Sequence, residues 1–313
     1  MKNDKTKIYS DDTKTTVYGV SEKLTKQTVH NLKAGDNITL NKKEYKIIEI
    51  ISESTGEAVI YKIEDNKRNP FALKLYFEFN NTENEPNTEA LSRIKQIQDV
   101  DILNLIDFGT GINKYKNKYC FEILDFAQGY DLLDVKNHKE TYKPKFLEKT
   151  VIPQIFKGIL KLHKNRIYHC DLKPQNIFYL DKEQKEIVIG DYGSAKTFEF
   201  DAAKSSRKTT TVKGTDFYLP PEQARGFISE KNDYYSFGMI LLHLLYPEKL
   251  IISESESKNL SRQKLKQIIE RQFEGKPIID YNPKHERINN LIAGLTLVDF
   301  SFSPTSWVKF EFT

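Results

Sequence analysis

Apolar residues are sparse and unpatterned at the start of the chain. Up to about residue 40 it is dominated by Lys, Thr, Asn and Asp, which reads as a polar N-terminal extension, 1–40, with order expected only near Gly35–Asp36. Three short apolar runs follow. Tyr45–Ile51, Glu57–Ile63 and Phe71–Tyr76 read as strands of a meander, joined by turn-prone Ser54-Thr55-Gly56 and Asp65–Pro70. The alternation in the first is imperfect. Leu91, Ile94 and Ile97 recur at a spacing of three and predict a helix over Glu89–Gln98. Leu103–Phe108 and Tyr119–Phe126 read as two further strands.

After Gly129 the period becomes helical. Val151–Leu162 carries Ile152, Ile155, Phe156, Ile159, Leu160 and Leu162 on one face. Asn232–Leu245, almost wholly apolar in its second half, and Asn289–Leu297 predict two more helices. A strand-rich part, 41–124, thus precedes a helix-rich part, 125–313. That order predicts an α+β class with two lobes and a cleft between them.

Composition narrows the partners. Lys plus Arg is 48 and Asp plus Glu is 44, a mixed balance that calls for neither nucleic acid nor an anionic membrane. Cys120 and Cys170 match no metal or redox spacing and read as buried thiols in a reducing, cytoplasmic setting. Met1–Ser10 has no apolar signal core. The longest apolar run, Tyr234–Tyr246, is shorter than the roughly 20 residues a bilayer requires, so a buried core helix is expected. The oligomeric state is left open.

The densest chemistry lies in His169-Cys170-Asp171-Leu172-Lys173-Pro174-Gln175-Asn176. It groups a carboxylate, a cation and an amide oxygen within six residues. The run resembles the catalytic loop of protein kinases, His-Arg-Asp-Leu-Lys-Pro-x-Asn. The phosphoryl transfer which that resemblance implies needs these types, to accept a hydroxyl proton, neutralise a moving phosphate and ligate magnesium. The resemblance implies Asp171 as the catalytic base, Lys173 on the phosphate and Asn176 on the metal. Asp191-Tyr192-Gly193 follows fifteen residues after Asn176, behind the apolar Ile187-Val188-Ile189. It resembles the kinase Asp-Phe-Gly motif, with Asp191 as the second magnesium ligand.

Phe71-Ala72-Leu73-Lys74 resembles the kinase strand Val-Ala-Ile-Lys, with Lys74 on the α- and β-phosphates and small Ala72 leaving room for adenine. The family expects a helix Glu to hold that Lys. Glu89 is the choice and Glu85 the rival. Gly214–Glu222 resembles the end of a kinase activation segment, with Pro220 where Ala is usual. Asp233-Tyr234-Tyr235-Ser236-Phe237-Gly238 resembles the opening of the buried second-lobe helix, whose Asp braces the catalytic loop. By the same likeness Leu124 is the gatekeeper and Asp125-Phe126-Ala127 the hinge against adenine. Asp131 meets the ribose, and Val59 and Phe178 pack on the two ring faces.

The chain is thereby identified as a member of the protein kinase family, resembling its bacterial or phage Ser/Thr members. The resemblance implies ATP and Mg2+ as cofactors and a protein Ser or Thr as acceptor. Three departures accompany it. The phosphate-covering turn has Ser52, Ser54 and Glu57 at the glycine positions, with only Gly56 nearby. Cys170 replaces the Arg that pairs with a phosphorylated loop, so phosphorylation of Thr209, Thr210 or Thr211 is not expected to be a strict switch. Leu295–Trp307 contains no Arg to meet Glu222, which leaves Arg287 as a substitute or a remodelled terminal helix as the two alternatives. The glycine-poor turn keeps a second reading open, a pseudokinase acting as an ATP-binding or scaffold module.

Overall fold

The computed structural model describes residues 32–53, 58–76, 86–112, 118–133, 143–198, 207–208, 214–215, 217–224, 226–246 and 285–296. The first lobe is a six-stranded antiparallel sheet: β1 Asn37–Leu40, β2 Lys43–Ser52, β3 Ala58–Glu64, β4 Pro70–Tyr76, β5 Leu105–Ile112 and β6 Lys118–Asp125. The spatial order is β1-β2-β3-β4-β6-β5. The first four strands form a meander. Helix α1, Thr88–Gln96, then intervenes, and β5 crosses to the far edge.

β1 lies at the end of the stretch read from the sequence as a polar extension. Asn41 and Lys42 take positive φ, 46° and 66°, and make a tight two-residue hairpin that pairs Leu40 with Lys43. Leu40 is buried and joins Tyr45, Ile47, Val59, Tyr61, Ile63, Leu73 and Leu75 in the sheet's own core. The imperfect alternation of β2 has a structural cause. Its register against β3 shifts between Ile47 and Glu49 and again between Ile50 and Ser52, which leaves Ile50 and Ile51 exposed.

α1 begins where the Asn87 side chain accepts from the N–H groups of Glu89 and Ala90, and it ends at Gln96, two residues before the expected limit. Its inward face is Ala90, Leu91 and Ile94, and it packs into the larger core of the second lobe. β5 starts at Leu105 rather than Leu103. Leu103 instead donates to the Ile189 carbonyl and ties the end of the α1 connection to the second lobe.

In that lobe a π-helical turn, Leu147–Val151, leads into α2, Ile152–Lys164. Short strands β7 (Ile167–Tyr168), β8 (Ile177–Tyr179), β9 (Ile187–Ile189) and β10 (Lys196–Thr197) pair as β7–β10 and β8–β9. β11 (Arg207–Lys208) pairs with β12 (Phe227–Ile228), on either side of the short helix α3, Pro221–Ala224. The expected core helix is α4, Glu230–Leu245, buried without interruption from Asn232 to Leu242. α5, Glu286–Thr296, packs against it. No helix among the described residues is long and apolar enough to cross a membrane.

Candidate active site

The loop between β7 and β8 is held from below by one buried carboxylate. Asp233 Oδ2 accepts the His169 N–H at 2.9 Å and lies 2.9 Å from His163 Nε2, while Oδ1 accepts the Cys170 N–H at 2.9 Å. Gln223 of α3 donates to the Cys170 carbonyl at 2.6 Å, and His169 Nε2 lies 2.9 Å from the Gly190 carbonyl. These bonds hold Cys170 at φ +63°, a conformation that a non-glycine residue adopts only where its surroundings impose it. Burial pushes the Cys170 thiol up, so it is a packed group and not a thiolate.

Burial also works to raise the Asp233 carboxyl. The His163 and His169 contacts outweigh it and hold the group below the ordinary carboxylate range. Its contribution to stability is therefore complete above the unfolded value near 4 and is lost as pH falls through the depressed folded value. Asp233→Asn should cost about 1–3 kcal/mol at neutral pH. In urea unfolding, the gap from wild type should be widest at neutral pH and narrow below about pH 4. A gap constant into acid would refute this account.

Asp171 emerges at the front of the loop. Its Oδ1 accepts both the N–H and the hydroxyl of Thr215, at 2.5 and 2.8 Å. Lys173 Nζ lies 3.2 Å from Asp171 Oδ2 and donates to Thr215 Oγ1 at 2.9 Å. Asn176 donates through Nδ2 to the Asp171 carbonyl at 2.9 Å. Thr215 was visible in the sequence only as part of a motif, without a role of its own. Its approach depends on Gly214, at φ +126°, where a Cβ would stand 2.8 Å from the Cys170 carbonyl.

The second acid follows β9. Asp191, at φ +60°, takes Lys74 Nζ on Oδ1 at 2.6 Å. Burial would raise its carboxyl; the charge and hydrogen bond of Lys74, aided by Lys173 and His169, hold it far below the usual range. Tyr192, fully buried, donates to the Leu103 and Ile189 carbonyls at 2.7 and 2.8 Å. The Gly190 N–H donates to the Asn176 carbonyl at 2.9 Å, which brings the Asn176 and Asp191 backbones together. A lysine from the first lobe and the acidic loops of the second therefore meet.

Glu89 does not join them. It is exposed and bonded to Arg93 of its own helix at 2.8 Å, because its position on α1 faces outward. Glu85, the rival, lies outside the described residues, as do Ser54, Gly56, Glu57 and Thr209–Thr211.

The remaining predicted contacts lie on the sheet and on the segment that follows it. Ala72 is paired with Leu124 across β4 and β6, and Val59 is buried in β3. Ser52 ends β2 opposite Ile60. The Asp125 N–H goes to the Asn104 carbonyl, and those of Gln128 and Gly129 go to Leu180 and Tyr179. Among the described residues the Ala127 N–H makes no hydrogen bond, which leaves it as a donor for a planar base. Asp131 bridges to Phe178 and caps the Leu133 N–H at 2.7 Å. Phe178 is half-buried and backs onto Gly190. Arg287, expected near Glu222, stands 3.5 Å from Glu148.

A family model described as "Protein kinase domain" matches residues 45–301. The chain belongs to the protein kinase family. Relatives of this kinase chain include calcium-dependent protein kinase 4 of Plasmodium falciparum, 28% identical over 72% of this chain and 43% of the relative. A Clostridium acetobutylicum protein named "Probable serine/threonine-protein kinase" is 33% identical over 66% of this chain and 30% of its own. An LRR receptor-like serine/threonine-protein kinase of Oryza sativa is 31% identical over 74% and 23%. The chain spans less than half the length of each of these curated relatives.

The kinase site also fits a divalent cation and phosphates chemically. Lys74 uses Asp191 Oδ1, and Asp191 Oδ2 makes no hydrogen bond among the described residues. Asn176 commits its amide nitrogen to Asp171, which leaves its amide oxygen open to a cation. One carboxylate and one amide oxygen suit Mg2+, which takes few protein oxygens and completes its shell with phosphate and water.

Proposed function

We propose that the chain is an ATP-dependent serine/threonine protein kinase. What carries the reading is the Lys74–Asp191 contact at 2.6 Å beside the Asp171–Thr215–Lys173 cluster, since phosphoryl transfer needs positioning and charge neutralisation more than covalent chemistry. Lys74 would hold the α- and β-phosphates, with the Ala127 N–H against adenine, Val59 and Phe178 on its faces and Asp131 at the ribose. Asp171 would orient the acceptor hydroxyl and take its proton, and Lys173 would neutralise the transferring group. Asn176 and Asp191 would hold Mg2+, which supplies neutralisation of the phosphates. The partner is a protein presenting Ser or Thr. The names of the relatives and Lys173 support that class, and two buried free thiols support a cytoplasmic setting.

The test is transfer of label from ATP with Mg2+, with and without a generic basic protein, followed by acid hydrolysis. Phosphoserine or phosphothreonine on the chain or the acceptor is the expected result. Nucleotide retention without transfer would instead establish the binding module that the glycine-poor turn favours.

A further inference from the structure

Lys74 reaches Asp191 from a strand, and a long cationic side chain needs support along its path to stay extended. The described part of α1 offers none. Its sequence, Thr88–Gln96, has one acid, Glu89, which is exposed and bonded to Arg93, and its inward residues are Ala90, Leu91 and Ile94. The adjacent strand does carry an acid.

Glu122 of β6 is fully buried and stands directly opposite Lys74 in the antiparallel ladder. Opposed residues of such a pair point to the same face with their Cβ atoms about 5 Å apart. Tyr76, two positions along β4 and so on that face too, donates its hydroxyl to Glu122 Oε1. Lys74 Nζ lies 4.8 Å from the centroid of the Tyr76 ring. Lys74, Tyr76 and Glu122 therefore form one cluster behind the Lys74–Asp191 contact.

One physical point makes this more than packing. A carboxylate removed from water is costly unless a cation and hydrogen bonds compensate it, and the residue facing Glu122 across the ladder is a lysine.

We propose that Glu122 is the positioning carboxylate of Lys74, supplied by strand β6 in place of an acid on helix α1. This rests on the kinase reading for its consequence in catalysis, though not for the facing of the two residues across the ladder. Glu122 then acts on Lys74 through its charge and through the Tyr76 ring that lies between them, from a strand fixed by backbone pairing, and movement of α1 does not remove it.

The test reads the protonation of Lys74 directly. The full chain and its Glu122→Gln variant, which keeps the shape and the Tyr76 bond, are labelled with an amine-reactive sulfonyl fluoride of adenosine across a pH series. Modification of Lys74 is followed by mass spectrometry. Loss of the neighbouring charge should lower the midpoint of the profile by roughly one pH unit, making labelling about tenfold faster at pH 7. With ATP as substrate, KM should rise about tenfold with a smaller change in kcat, because Lys74 is displaced while Asp171 is untouched.

A midpoint unmoved in Glu122→Gln, or moved instead by Glu85→Gln or Glu89→Gln, overturns the proposal. If Glu122→Gln does not fold, Tyr76→Phe replaces it. Removing the hydroxyl concentrates charge on the carboxylate and should raise the midpoint, and no movement again overturns it. Wild type that is labelled at Lys74 yet transfers no phosphate would sink the kinase reading alone.

Discussion

Asp171→Asn is expected to lower phosphoryl transfer by roughly 10²-fold or more, since it removes a positioned base from the transition state. Asparagine keeps an oxygen that can accept from Thr215, so the Thr215 N–H and hydroxyl, now 2.5 and 2.8 Å from Oδ1, retain a partner. The Asn176 bond goes to the Asp171 backbone carbonyl and is unaffected. Lys173, 3.2 Å from Oδ2, loses a charge partner but keeps Thr215 Oγ1. The variant should therefore fold and bind nucleotide, with the loss confined to kcat. Steady-state rates at saturating ATP, together with nucleotide affinity, would check this. A variant of undiminished kcat would remove Asp171 from its role.

Asp191→Asn should have an effect of similar size with a different signature. Lys74 loses an anionic partner at 2.6 Å, and the Mg2+ reading loses its only carboxylate oxygen among the assigned ligands. Turnover should fall by roughly 10²-fold or more, and the Mg2+ concentration for half-maximal rate should rise. Because Lys74, Lys173 and His169 hold the Asp191 carboxyl far below its ordinary range against the pull of burial, it stays ionised throughout the working pH range. The acidic limb of the wild-type pH–rate profile should thus belong to another group and persist, at reduced height, in Asp191→Asn. An unchanged rate and metal requirement would mean that Asp191 only balances the lysine.

The grouping of the candidate residues was the most legible part of this chain. Asp171, Lys173 and Asn176 sit within one loop, and a loop held at both ends by strands keeps its residues together wherever the rest of the chain runs. The bracing role of Asp233 came from the family resemblance. A buried acid in the first turn of an apolar helix must find donors, and the N–H groups of His169 and Cys170 are what it finds. Glu89 was chosen by its distance from Lys74 and its place at the start of the helix, and distance along the chain does not say which face a residue occupies. The inward face is that of Leu91 and Ile94, and Glu89 lies outside it.

Sequence alone determined a strand-rich lobe followed by a helix-rich one, the main helices and the residue types gathered in the loop before Asn176, since these depend on local period, turn chemistry and short spacing. Tertiary structure alone decided that β6 inserts between β4 and β5, that β1 extends the sheet and that Thr215 sits on Asp171. It also decided that a buried glutamate faces Lys74. Strand pairing joins residues dozens of positions apart through backbone groups that every residue carries. The identity of Glu122 therefore held no mark of its partner until the ladder set the two side by side.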